Sequence, residues 1–181
     1  MSKSCPSEGG LTHDELVIRA CRWLKKPVSK VDPYRYKPGC GVVVPELVSA
    51  CSEQPDAIGW TAQASYVIEC KTTISDFYAD RRKPHRKNGG GVGTYRLYMC
   101  PPKVIKVDQL PDGWGLLYAH PKIITVEQWP EPNWDRDLNG EVVMMNSLLR
   151  RVVIHGNLKS CLSSKWGGSP PVHRAERGDY P

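Results

Sequence analysis

The sequence predicts an α/β protein, in which helices flank a central β-sheet and an amphipathic helix follows at the C-terminal end. Three observations predict this class. An amphipathic helix pattern near the N-terminus is followed by three strand patterns, at residues 41–48, 56–60 and 65–70. A second helix pattern and more strands come next, and the last apolar periodicity, at residues 141–155, is again helical. The order helix, three strands, helix, strands is typical of one α/β domain.

The first helix is predicted to begin at Thr12 and to end near Lys25, before Pro27. Thr12 and Glu15 have the spacing of a capping box, in which each side chain satisfies a backbone amide of the other residue. The Val-rich residues 41–48 then predict the first strand.

A β-hairpin is predicted next. If residues 61–64 form a four-residue loop, Trp60 pairs with Ser65, and the same register sets Asp56 opposite Glu69. Cross-strand neighbours have Cβ atoms about 5 Å apart, so these two carboxylates should repel each other. With an effective dielectric constant near 20, the repulsion is about 3 kcal/mol.

The alternation of side chains along residues 65–70 sets Glu69 and Lys71 on one face and Tyr66, Ile68 and Cys70 on the other. A surface salt bridge contributes only about 0–1 kcal/mol, so Lys71 alone does not offset the repulsion. A divalent cation does, and carboxylate oxygens are ligands that Mg²⁺ accepts. The hairpin therefore predicts a cation site beside a fixed ammonium group.

Two plainer interpretations of these residues stay open. Asp56 follows Pro55, and this pair is common in turns that bind nothing. Glu69 and Lys71 could instead form a solvated strand face, although a central strand buries both of its faces.

The remaining elements follow from turn and capping signals. Ser75 is predicted to cap a second helix over residues 76–83, which ends before Pro84. Further strands are predicted at residues 95–100, 114–119 and 122–128, and the last helix at residues 141–155.

Composition limits the class of protein. The chain has 181 residues, 40% of them hydrophobic, 24% charged, and a net charge of +6. No run of 18 apolar residues occurs and Met1 to Gly10 lack an apolar signal segment, so we expect a cytoplasmic protein that does not enter a membrane. The seven cysteines include no CxxC pair, which disfavours a zinc ribbon and indicates reduced thiols.

The sequence Pro55-Asp56 followed by Glu69-Cys70-Lys71 resembles the signature of the PD-(D/E)xK nuclease superfamily. The surrounding residues 45–48, 55–60 and 113–118 are similar to those of MmcB-like DNA-repair endonucleases of phages and bacteria. The resemblance covers about residues 11–126. It implies a restriction-endonuclease-like core with a central mixed sheet.

The domain organisation expected from this resemblance is simple. One nuclease-like domain spans residues 11–165, after a flexible N-terminus at residues 1–10. The Gly/Pro-rich residues 166–181 are expected to form a disordered tail.

The resemblance also implies an activity, the Mg²⁺- or Mn²⁺-dependent hydrolysis of DNA in phage or bacterial DNA processing or repair. Asp56, Glu69 and the backbone carbonyl of Cys70 would hold the cation, and Lys71 would act on the attacked phosphate. If the gene belongs to a phage, the enzyme would work in the host cytoplasm. RNA as substrate and a homodimeric state stay open.

Two acidic residues compete for an accessory role. The family often places an acid on its first helix, which corresponds here to Glu15, although the capping box explains Glu15 equally well. Glu46 is the alternative, because an acid within the apolar residues 41–48 is unusual for a strand. The sequence slightly favours Glu46.

A dense basic run spans the end of the second predicted helix and the residues after it. It can contact the phosphate backbone of DNA, or it can be a solvated helix end that complements the helix dipole. Its candidate nucleic-acid contacts are Arg81, Arg82, Lys83, Arg86 and Lys87.

The sequence as a whole leaves a second function open. The chain could be a catalytically silent nuclease fold that binds nucleic acid or a host protein, such as a phage counter-defence factor.

Overall fold

The computed structural model describes residues 10–26, 38–83 and 90–155. The expected flexible N-terminus, apart from its last residue, and the expected tail at residues 166–181 lie outside the described residues, and so do Arg86 and Lys87. Residues up to Met144 belong to one compact unit, and Met145 begins a second.

The elements confirm the predicted α/β class and its order. Within the described residues ten elements are formed, and we number the α-helices and β-strands along the chain. They are α1 (His13–Lys25), β1 (Val42–Pro45), β2 (Ala57–Trp60), β3 (Ser65–Cys70), α2 (Ile74–Asp80), β4 (Tyr95–Cys100), a short 3₁₀ helix (Val107–Gln109), β5 (Gly115–Ala119), β6 (Ile124–Gln128) and α3 (Leu138–His155).

The six strands form one mixed sheet in the order β1-β2-β3-β4-β5-β6. Strands β1, β2 and β3 are antiparallel neighbours, β3, β4 and β5 run parallel, and β6 is antiparallel to β5. Helix α2 lies in the connection between the parallel strands β3 and β4, since parallel neighbours need a crossover. The mixed sheet is the one expected from the sequence.

The predicted hairpin register is confirmed. Trp60 pairs with Ser65, and the ladder continues to Ala57 opposite Ile68. The Thr61 amide donates to the Ala64 carbonyl at 2.9 Å and closes the four-residue loop. Asp56 lies one residue before β2, so its side chain, rather than its backbone, meets β3.

A hydrophobic core lies on each face of the sheet. On one face α1 packs against Ile68, Cys70, Leu97 and Met99, and on the other α2 contributes Phe77 to a core with Tyr98, Ile105 and Trp114. Strand β3 is therefore buried on both faces, with Glu69 only 1% exposed. Within the described ranges, no helix has the length and apolar character needed to cross a membrane.

The bounds of β1, α2 and α3 differ from those predicted, and the differences in β1 and α2 affect the site. Strand β1 ends at Pro45 instead of Val48, because Glu46 adopts a φ of 42° and turns the chain. Glu46 is exposed, so it is not an acid within an apolar strand. Its amide donates to the Asp56 carbonyl at 3.1 Å.

Thr73 rather than Ser75 caps α2. The Thr73 hydroxyl accepts a hydrogen bond from the Asp76 amide at 3.2 Å, so the helix begins at Ile74. It ends at Asp80, three residues before the predicted end at Lys83. The last helix also begins earlier than predicted, at Leu138, because the Asp137 carboxylate accepts from the Gly140 amide at 2.8 Å.

Candidate active site

Asp56 is held at the start of β2 by the strand beside it. Its Oδ2 accepts a hydrogen bond from the Cys70 amide at 2.7 Å, where the β2–β3 ladder would otherwise continue. His13, the first residue of α1, places Nε2 at 3.4 Å from the same oxygen. The Asp56 side chain is 18% exposed, so it is partly accessible to solvent, and its Oδ2 lies 3.9 Å from Lys71 Nζ.

The Lys71 ammonium group gathers carboxylates from three elements. Its Nζ lies 3.2 Å from Glu69 Oε2 at the end of β3, 3.4 Å from Asp80 Oδ1 at the end of α2, and 3.9 Å from Asp56 Oδ2. The sequence predicted that Asp56, Glu69 and Lys71 lie together, and they do. Asp80 was not predicted.

Burial makes these pairings necessary. Asp80 and Glu69 are nearly inaccessible and the Lys71 side chain is 9% exposed. Burial by itself lowers the pKa of Lys71, but the carboxylates of Glu69, Asp80 and Asp56 outweigh it and raise the pKa above its usual value. The ammonium is therefore protonated at neutral pH, as a charge that neutralises part of an acidic cluster.

Asp80 is fixed by further partners. Its Oδ2 accepts a hydrogen bond from the Tyr98 hydroxyl at 2.9 Å, and Lys83 Nζ lies 2.8 Å from Oδ1. A signal for Asp80 was present in the sequence, because it follows Phe77 by three residues and so shares the apolar face of a helix. An acid on that face needs a partner.

His13 was also missed, and no local pattern identifies it. Its side chain is 41% exposed, and its position follows from the way α1 packs against the end of the hairpin. The accessory candidates Glu15 and Glu46, unlike His13, do not pair with a member of the cluster through their side chains.

Glu15 satisfies the capping box. Its Oε2 accepts from the Thr12 amide at 2.8 Å, and this hydrogen bond lowers the pKa of the exposed carboxyl group. The structure brings neither Glu15 nor Glu46 into an ion pair with Lys71, so an accessory role for either residue stays a prediction.

The Cys70 thiol belongs to the core on the α1 face, as the strand alternation predicted. Burial raises the pKa of this thiol well above its usual value, and the carboxylates of Asp56 and Glu69 raise it further. It is therefore a neutral core side chain, and the backbone carbonyl is the only Cys70 group suited to a hard cation.

The donor set fits a magnesium-type site. Asp56 and Glu69 each place an oxygen within 3.9 Å of the same cationic nitrogen, so a positive charge between them is already stabilised. Among the residues that the structure describes, no three His, Cys, Asp or Glu side chains converge as a metal cage. Mg²⁺ is commonly bound by one or two carboxylates and several waters, whereas structural zinc needs four protein ligands.

The described part of the basic run is partly engaged. Lys83 pairs with Asp80, and the Arg81 guanidinium donates to the Gln109 carbonyl at 3.1 Å and lies over the Phe77 ring. Arg82 is exposed. Contact with nucleic acid stays a prediction for all of them.

Comparisons with known proteins assign no family. No protein-family model matches the chain, and no curated protein matches it. Among solved structures, the chain is similar to a protein of unknown function from Silicibacter pomeroyi at 18% identity and a TM-score of 0.48. That similarity covers 72% of this chain and 84% of the other.

Proposed function

We propose that this protein is a cytoplasmic metal-dependent nuclease of the PD-(D/E)xK type, which hydrolyses phosphodiester bonds of DNA in phage or bacterial DNA processing or repair. One observation carries the proposal. Asp56, directly before β2, and Glu69, on β3, place their carboxylate oxygens around one nearly buried ammonium group, that of Lys71.

The acidic and basic residues of the cluster have different proposed roles. Asp56 and Glu69, with the Cys70 carbonyl, would hold Mg²⁺ or Mn²⁺. When bound, such a cation lowers the pKa of water and offsets the charge of the attacked phosphate. Lys71 orients the attacking water by hydrogen bonding and stabilises the negative charge that develops on the phosphoryl oxygens.

The cluster is open to substrate at Asp56. Asp56 lies at the partly exposed end of the cluster, while Glu69 and Lys71 lie behind it in the sheet. The resemblance to the superfamily implies departure of a 3′ oxygen and a 5′-phosphate product. Within the basic run, Arg81 and Lys83 already bind Gln109 and Asp80, so the exposed Arg82 is the first described candidate for contact with the phosphate backbone.

The test is a cleavage assay on supercoiled plasmid, linear duplex, single-stranded DNA, a four-way junction and RNA, each with Mg²⁺, Mn²⁺ or EDTA. We expect metal-dependent cleavage of at least one DNA substrate. Asp56→Asn, Glu69→Gln and Lys71→Ala should each lower the rate by about 10²-fold or more, because each removes a charge that acts on the transition state.

Asp76→Asn is the matched control, since Asp76 is an exposed acid in the first turn of α2. It should leave cleavage unchanged. Cleavage that survives in the Asp56 or Lys71 variants, or an absence of cleavage on every substrate with either metal, would contradict the proposal and favour a binding protein that lacks turnover.

A further inference from the structure

Asp80 belongs to the Lys71 cluster but is not one of the two carboxylates assigned to the cation. It lies at the end of α2 rather than on the hairpin, is 2% exposed, and places Oδ1 at 3.4 Å from Lys71 Nζ. A buried carboxylate is costly unless it is paired, so this position needs a physical reason.

Asp80 is anchored by the hydrophobic core. The Tyr98 hydroxyl donates to Asp80 Oδ2 at 2.9 Å, and the fully buried Tyr98 ring lies edge-on to Phe77 and is stacked on Trp114 at centroid distances of 4.9 and 4.5 Å. Because these aromatic contacts fix the hydroxyl, they also fix the carboxylate. Lys83 Nζ, at 2.8 Å from Oδ1, adds a partner at the surface.

The pairing of Lys71 must change when a cation binds. In the structure Lys71 shares Glu69 and Asp56, the two carboxylates that would hold the cation. Once these two residues bind a divalent cation, their oxygens are occupied and the ammonium experiences a like charge nearby. Asp80 then remains as a carboxylate that can hold the ammonium.

We infer that Asp80, fixed by Tyr98, is a positioning residue that retains the Lys71 ammonium beside the cation site and restrains it from competing for Asp56 and Glu69. The inference rests on the proposed function. Asp80 acts only through Lys71, and this dependence separates positioning from a simple effect of its charge.

The test measures Mn²⁺ binding to the protein without nucleic acid, by isothermal titration calorimetry. The four proteins are the wild type, Asp80→Asn, Lys71→Ala and the double variant. With Lys71 present, Asp80→Asn should raise the Kd for Mn²⁺ about fivefold, because the released ammonium competes for the two ligands. In the Lys71→Ala background the same change should raise the Kd less than about twofold.

Tyr98→Phe keeps the charge and ring and removes only the hydroxyl that fixes Asp80. It should raise the Kd about twofold in the same direction. Asp76→Asn, on the exposed first turn of α2, is the matched control and should leave the Kd unchanged. Melting curves establish that each variant is folded.

Turnover supplies a second measurement. At saturating Mn²⁺, Asp80→Asn should lower kcat about tenfold and leave the KM for DNA unchanged. Lys71 stabilises charge that develops only in the transition state, and it loses this effect when it is misplaced.

Each failure has its own signature. An equal rise in Kd with and without Lys71 would show that Asp80 acts by its own charge, and this would overturn the inference while leaving the proposed function intact. If Asp80→Asn does not fold, an unchanged Kd in Tyr98→Phe overturns it. A wild-type protein that binds no Mn²⁺ would overturn the proposed function, and the inference with it.

Discussion

Lys71 shows how a single residue sets the electrostatics of the site. Its ammonium group lies between 3.2 and 3.9 Å from three carboxylates, two of them nearly inaccessible to water. Like charges at this density are tolerated in a protein interior only when a counter-charge is present. Lys71 therefore stabilises the fold by compensating the buried carboxylates, in addition to the role proposed for it in the reaction.

This dual role predicts a pH dependence of stability. The folded state raises the pKa of Lys71 above its usual value of 10.5, because Glu69, Asp80 and Asp56 outweigh the effect of burial. The stabilisation is therefore fully present below pH 10.5 and is lost as the pH rises through the higher pKa of the folded state.

Denaturant unfolding of the wild type and Lys71→Met between pH 8 and about 11.5 measures this contribution. At pH 8 the variant should be less stable by about 3 kcal/mol, since it leaves buried carboxylates without their ammonium partner. The difference should shrink above pH 10.5. A difference that stays constant over the whole range would contradict the assigned ion pairs.

At the scale of elements, buried carboxylates fix the segment that leads into β4. The Glu53 carboxylate accepts from the Val92 amide at 2.8 Å and pairs with Arg96 Nη2 at 2.9 Å. Gly93 follows with a φ of 98°, and a Cβ there would lie 2.7 Å from a methyl carbon of Val67. This segment therefore sets the start of β4 against β3, the strand that carries Glu69 and is followed directly by Lys71.

Glu53→Gln should consequently destabilise the fold by about 3 kcal/mol, because it removes the carboxylate from the buried Arg96 guanidinium. Equilibrium denaturation measures the change. Glu127→Gln, at an exposed position of β6, is the control and should cost less than about 0.5 kcal/mol. Equal losses in both variants would show that the buried pair has no special role.

The elements that the sequence predicted best are those whose signals are local. Strands β3 and β4 have the predicted bounds, because runs of strand formers end at turn residues on each side. Strand β1 was predicted to be too long, because nothing in the Val-rich run indicates that Glu46 has a positive φ. The Glu46 amide binds the carbonyl of Asp56, a residue distant in the sequence. The start of α2 was misplaced because Thr73 and Ser75 are both favourable N-cap residues. The sequence alone does not show which of the two hydroxyls accepts the hydrogen bond from the first turn of the helix.

At the scale of the whole molecule, the hairpin part of the site was predictable and the rest was not. A four-residue loop fixes the register, and the register brings Asp56 to Glu69 and Lys71. His13 and Asp80 reach the same cluster from α1 and α2, through packing on opposite faces of the sheet. No local pattern identifies His13, and the helical spacing of Asp80 from Phe77 indicates only that Asp80 needs a partner, not which one.

The same division explains why neither of the two candidate accessory acids pairs with Lys71. Glu15 was selected from a family tendency, and its local capping partner Thr12 holds its carboxylate. Glu46 was selected from a predicted strand over residues 41–48, but the strand ends at Pro45, one residue before Glu46. In both cases the local conformation decided the position of the side chain.

The central claim is that Asp56 and Glu69 hold a divalent cation beside Lys71. Its most direct test is an anomalous difference map from crystals of the wild-type protein grown with Mn²⁺. We expect a peak between the Asp56 and Glu69 carboxylates, lost in Asp56→Asn. A map without a peak there, at a Mn²⁺ concentration that saturates binding in solution, or with its strongest peak elsewhere, would contradict the account.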